Sequence, residues 1–121
     1  MAGTISANVS ITVQNGTLND SFNKQTTGIS QTTQGKAAGI QNVATSYEAL
    51  DVGDVATNGW ILLTNLDATN YVELGREVSS AFYGVVRLEA GESQLLRLSQ
   101  ATMYVQANTA SVKLEYTLYE D

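Results

Sequence analysis

Residues 64–75, TNLDATNYVELG, set Asn65, Asp67, Thr69 and Glu73 at alternate positions, a spacing of oxygen donors that suits a hard cation such as calcium. A calcium loop needs acids at its first, third and fifth positions, glycine at the sixth and glutamate at the twelfth. Counted from Asn65, only Asp67 is an early acid, Thr69 and Asn70 hold the fifth and sixth places, and Glu73 comes too soon. That is too little negative charge for a divalent ion. The same residues read better as a hairpin turn in which Asn65, Asp67 and Asn70 bond nearby backbone, as short polar side chains do. No metal is expected.

Paired carboxylates are the other chemistry to weigh, since two acids suffice for glycoside hydrolysis. Glu89 with Glu92, Asp51 with Asp54, and Glu120 with Asp121 are the close pairs, and each reads as solvated turn or terminal charge. A glycosidase would run on Glu89 and Glu92. The chain has no histidine and no cysteine, which removes imidazole bases, thiolate nucleophiles, disulfides and the usual zinc, copper and haem ligand sets. Its lysines are Lys24, Lys36 and Lys113, none in a Ser-x-x-Lys arrangement. The expectation is therefore no enzyme, no catalytic residue and no cofactor. Trp60 and the six tyrosines can stack on sugar rings, which keeps a carbohydrate-binding module as a competing reading, although Trp60 opens the most apolar run and reads as core.

The formal net charge of −6 and a pI near 4.4 argue against nucleic acid, whose phosphates would be repelled. No run of about 18 apolar residues is present, so no membrane span is expected. The start, Met-Ala-Gly-Thr-Ile-Ser, lacks the basic and apolar parts of a signal peptide. The 121 residues suit one domain. Charge is unevenly spread, because residues 1–46 hold Asp20 against Lys24 and Lys36 and every other acid lies from Glu48 onward. Such a Thr-, Gln-, Asn- and Gly-rich stretch is a poorly ordered tail, a set of thin strands, or an arm ordered on another subunit.

These side chains need strands to position them. Residues 4–14 alternate strictly, with Ile5, Ala7, Val9, Ile11 and Val13 on one face, which predicts a half-buried strand. Asn15-Gly16 then predicts a hairpin leading into Leu18 and Phe22. Residues 26–46 read as weak strands or an extended crossing segment. Residues 49–54 read as a short strand or helical turn ended by Gly53, and the run Trp60 to Leu63 as a strand buried on both faces. The similar runs 85–88 and 95–98 flank Gly91 and predict a hairpin that sets Arg87 and Arg97 near Glu89 and Glu92, as surface ion pairs rather than an anion site. Met103, Val105 and Ala107 alternate with polar neighbours, and so do Val112, Leu114, Tyr116 and Leu118. The sum is an all-β, jelly-roll-like β-sandwich of about eight to ten short strands, with an arm region over residues 1–36 and a body over 37–121. The chain has no proline, so exposed strand edges need other cover, and oligomerisation is one.

The phrases ALDVGDVATNGWILLTNLDATNYVELG, VVRLEAGESQLLRL and ATMYVQANTASVKLEYTLYED, in that order, resemble small structural proteins of tailed-bacteriophage virions, in particular the head decoration or cement type. The resemblance covers residues 37–121 and does not separate a head protein from another small head or tail component. It implies a subunit made in the host cytoplasm that assembles, commonly as a homotrimer, on the virion surface, where it binds the major capsid protein and ties neighbouring shell subunits together. On that view the nearly uncharged first third packs on neighbours, with Ile5, Val9, Ile11, Val13, Leu18 and Phe22 as the interface.

Overall fold

The computed structural model describes residues 3–121; Met1 and Ala2, the first two residues of the expected arm, lie outside the described residues. Ten strands form three antiparallel sheets, with no helix among the described residues. The helical turn considered near Ala49 is a two-residue strand instead. The chain divides into two units, Met1–Gln34 and Gly35–Asp121.

The first unit is one long hairpin of β1 (Gly3–Asn15) and β2 (Leu18–Gln31). Asn15 faces Leu18 across a two-residue loop whose first residue, Gly16, has a φ of 60° while Thr17 does not turn positive. Positive φ at the first central position alone is the pattern of a type II′ turn, which suits the twist of paired strands. Between the pairs Ile5–Ile29 and Ala7–Thr26, β2 carries one extra residue, and Gly28 with a φ of 70° accommodates this bulge.

The second unit contains β3 (Lys36–Val43), β4 (Glu48–Ala49), β5 (Asn58–Asn65), β6 (Val72–Val78), β7 (Ala81–Leu88), β8 (Ser93–Arg97), β9 (Tyr104–Ala107) and β10 (Val112–Glu120). One sheet has the order β3-β10-β5-β8 and the other β4-β9-β6-β7, so the chain changes sheet repeatedly as it runs. Side chains from both sheets meet in one core: Val43, Ile61, Leu63, Leu114 and Leu118 from the first, Val72, Leu74, Leu88 and Val105 from the second. Each is essentially inaccessible to water, and burying one such side chain stabilises the fold by about 1.5–3 kcal/mol. This is the β-sandwich that the alternating sequence predicts, and β10 buries Val112, Leu114, Tyr116 and Leu118 as expected.

Three local expectations fail. Trp60 to Leu63 is not buried on both faces: Ile61 and Leu63 point into the core, but Leu62 is 47% exposed and Trp60 is only half-buried. A continuous apolar run does not reveal that its sheet is covered on one side only. The runs at 85–88 and 95–98 do not pair; β7 pairs with β6 and β8 with β5, in different sheets. The turn at Glu89–Glu92, closed by the Glu92 N–H donating to the Glu89 carbonyl at 3.0 Å, therefore links two sheets. Third, β5 and β6 are not a hairpin either, because residues 66–71 also cross between the sheets.

Consecutive strands pair only in β1–β2 and β6–β7 among the described residues. The second of these turns through Ser79 and Ser80, both with positive φ (52° and 61°), a conformation costing about 1 kcal/mol or more for a residue with a Cβ. Near this turn β6 closes on β7 so tightly that a Cβ on Gly75 would lie 2.0 Å from the Tyr83 carbonyl oxygen.

Candidate functional site: an apolar hairpin face

Residues facing each other across β1 and β2 project to the same side. The pairs Ile5–Ile29, Ala7–Thr26, Val9–Lys24, Ile11–Phe22, Val13–Asp20 and Asn15–Leu18 make one face. All six residues expected at an interface, Ile5, Val9, Ile11, Val13, Leu18 and Phe22, are brought together there. The opposite face pairs Asn8 with Gln25, Ser10 with Asn23, Thr12 with Ser21 and Gln14 with Asn19, uncharged throughout.

The apolar face is not the half-buried one that alternation suggests. Val9 is 49%, Ile11 59%, Leu18 50% and Phe22 55% exposed, while Ile5 and Val13 are intermediate. A two-stranded ribbon has no second layer of its own, and isolated ribbons are marginally stable in water. An exposed apolar strip of this length is the mark of a contact surface. Sequence reasoning missed the strip's two charges. Asp20 and Lys24 sit on this face, one on either side of Phe22, and neither is in an ion pair among the described residues. The signal was available in the two-residue period, D-x-F-x-K, once β2 is read as a strand.

The TNLDATNYVELG stretch does backbone work. Asn65 is fully buried at the end of β5; its Nδ2 donates to the carbonyls of Asn70 (2.9 Å) and Leu88 (3.1 Å), and its Oδ1 accepts from the Asp67 N–H (2.9 Å). Asp67 Oδ2 accepts from the N–H groups of Thr69 (2.9 Å) and Asn70 (2.6 Å). Those backbone donors, Asn70 first and Thr69 second, hold the Asp67 carboxyl below its usual pKa. Glu73 lies in β6 with its carboxylate over Gly84, and no cluster of three or more acids suited to a metal occurs among the described residues.

The carboxylate pairs are equally local. Glu92 Oε1 accepts from the Glu89 N–H at 2.7 Å, and Glu89 pairs with Arg87 at 2.8 Å. Arg97 pairs with Asp121, not with Glu92, and Arg87 stacks on the Tyr71 ring at 3.6 Å. Asp51 Oδ1 accepts from the Gly53 N–H. Glu120 departs from the expectation of a solvated terminal charge: it is 8% exposed, accepts from the Ala56 N–H at 3.1 Å, and lies so close to Gly35 that a Cβ there would collide with it. Strand alternation alone does not show that the end of β10 is covered.

Three aromatic residues of the body form a cluster. Tyr47 stacks on Phe82 (5.9 Å) and meets Tyr104 edge-on (5.8 Å), and its O–H donates to Glu77 Oε2 at 2.8 Å, which raises the Tyr47 pKa. Trp60 stands apart on the outer side of β5 with its Nε1 buried and unpartnered among the described residues. An open cleft of about 370 Å³ near Asn58 is polar, and Asn58 donates from Nδ2 to the carbonyls of Gln100 and Ala101. Of these features, the hairpin strip gathers the longest row of exposed apolar side chains, interrupted by Asp20 and Lys24. No family model, no curated protein and no solved structure matches this chain.

Proposed function

We propose that this chain is a structural virion protein, a capsid decoration or cement protein that binds the outside of a shell built by a major capsid protein. The carrying observation is the division of labour between the units. A body with its own core holds all the excess negative charge, while a neutral hairpin presents exposed apolar residues that nothing in its own ribbon covers. The strand order β3-β10-β5-β8 facing β4-β9-β6-β7 supports reading the body as a jelly roll, an architecture common in capsid and lectin domains. This is an analogy of fold and leaves the function to the surface.

Binding on this reading is repeated and individually weak. Each hairpin contributes a strip of apolar contact and edge strands whose backbone groups can pair, and a symmetric shell multiplies the contact many times. Association of subunits, as the homotrimer implied by the resemblance, lets one particle grip several capsid subunits at once. The acidic body stays soluble and avoids nucleic acid.

The test is co-sedimentation with shells assembled from the major capsid protein that this reading requires the same genome to encode. The full chain should pellet with the shells and raise their resistance to heat, and a version lacking residues 1–34 should stay in the supernatant. Equal binding by the truncated version would overturn the assignment of the hairpin as the gripping element, and no binding by either would overturn the decoration reading. A carbohydrate-binding reading draws on the Tyr47, Phe82 and Tyr104 cluster, and a glycan array with Tyr104→Ala decides it.

A further inference from the structure

We infer that the apolar face of the hairpin is self-complementary and packs on the same face of a second copy of this chain, the two hairpins running antiparallel about a two-fold axis. The register carries this inference. Ile11 faces Phe22 across the ribbon, and the next pairs on either side are Val9 with Lys24 and Val13 with Asp20. The pattern is symmetric in shape and antisymmetric in charge about the Ile11–Phe22 pair.

Face-to-face packing of identical ribbons allows two two-fold arrangements. If the strands run the same way in both copies, β1 lies over β2, Asp20 covers Val13, and Lys24 covers Val9. Both charges would then be taken from water without an opposite charge, which is costly. If the strands run oppositely, β2 lies over β2 and β1 over β1. Phe22 then meets Phe22, Val9 meets Val13, and Asp20 of each copy meets Lys24 of the other, twice over. Of the two, only this arrangement covers the strip over residues 7–15 and 18–26 and also pairs every charge on it, as an isologous interface requires.

Three further observations favour a second copy over an unrelated partner. The hairpin is neutral, with Asp20 and Lys24 as its only charges, while residues 35–121 carry all six excess negative charges, so bodies repel and hairpins do not. Asp20 and Lys24 lie four residues apart on one strand, about 13 Å, too far to pair with each other. With the axis at the Ile11–Phe22 pair the turn limits the overlap to residues 7–15 and 18–26, about 30 Å of a ribbon about 10 Å wide, so two copies would bury on the order of 600 Å² together. That area is below the range of standard specific contacts and predicts a weak, reversible dimer that forms only at high concentration.

The experiment is sedimentation equilibrium of the full chain without any shell present, so that its result is independent of whether the protein decorates capsids. Asp20→Lys and Lys24→Asp are compared singly, combined in one chain, and mixed in equal amounts as two single variants, with circular dichroism to confirm that each folds. Wild type should dimerise. Each single variant alone should associate at least tenfold more weakly, because like charges then meet across the axis. The combined variant restores the pairing within each dimer, and the mixture restores it between a chain with two positive groups on this face and a chain with two negative ones, so both should recover. A monomeric wild type, single variants that associate as wild type does, or a combined variant and mixture that stay as weak as the singles would each overturn the proposal. The dimer and the shell contact draw on the same strip, so the dimer is the state of the chain away from shells and opens when the hairpin engages one. The shell co-sedimentation described above therefore tests a different contact and can succeed or fail whichever way this result falls.

Discussion

The two hairpins made by consecutive strands have opposite strengths. β1–β2 turns on Gly16-Thr17, with glycine where the chain needs a positive φ, yet its apolar residues stand open to water. β6–β7 turns on Ser79-Ser80, two residues poorly suited to their left-handed conformation, yet it belongs to a sheet that buries Val72, Leu74 and Leu88. Good turn chemistry selects a register, and burial decides whether the register is held. The first hairpin is locally well specified and lacks a second layer; the second is locally strained and is held by a core.

That contrast can be broken or sharpened at several positions. The largest loss should follow Leu118→Ala, which empties a fully buried site between β3 and β5 and should cost about 3 kcal/mol in chemical denaturation, with a tolerated loss below 1 kcal/mol refuting a single shared core. Asn65→Ala removes the bonds to Asn70, Leu88 and Asp67 and should cost about 2 kcal/mol by the same measurement. Ser79→Asn with Ser80→Gly supplies the residues that a turn with two positive φ values prefers and should stabilise the body by about 1 kcal/mol. Phe22→Ser should leave the body's unfolding within about 0.5 kcal/mol of wild type while speeding amide exchange along β1 and β2 in concentrated samples. The smallest effect belongs to Asp67→Ala. Because the folded-state pKa of Asp67 lies below its ordinary value of 3.8, its contribution is present in full above that value and fades as pH falls through the depressed one. The stability gap between Asp67→Ala and wild type should therefore close in strong acid, and calcium should not shift the melting of either.

Much of the fold was legible from strict alternation. β1, β9 and β10 follow it, and the buried members of β9 and β10 are those the pattern names. What alternation cannot show is which strands pair. The runs around Gly91 look like a hairpin because each is a good strand and the turn is short, yet the chain uses that turn to change sheets. Leu62 was misplaced for a related reason, since an apolar residue on the outer face of a sheet resembles one in the core until the neighbouring layer is known. The six residues expected at an interface share one face because Ile5, Val9, Ile11 and Val13 alternate along β1 and the two-residue loop sets Leu18 and Phe22 on the same side of β2. The charges among them were missed because Asp20 and Lys24 gain meaning only opposite Val13 and Val9.

The central place of β10 has a consequence in time. Its partners β3 and β5 are synthesised long before it, and Val43 must wait for Val112. Sheets closed by such distant pairings fold in milliseconds to seconds, whereas a hairpin such as β1–β2 forms in about 1–10 μs. On the ribosome the hairpin therefore closes and reopens early, marginally stable by itself, with its apolar strip on view during the interval in which the body has no core. Asp20 and Lys24 then act as gatekeepers within an otherwise sticky strip, discouraging indiscriminate stacking of nascent chains while leaving one orientation of encounter attractive.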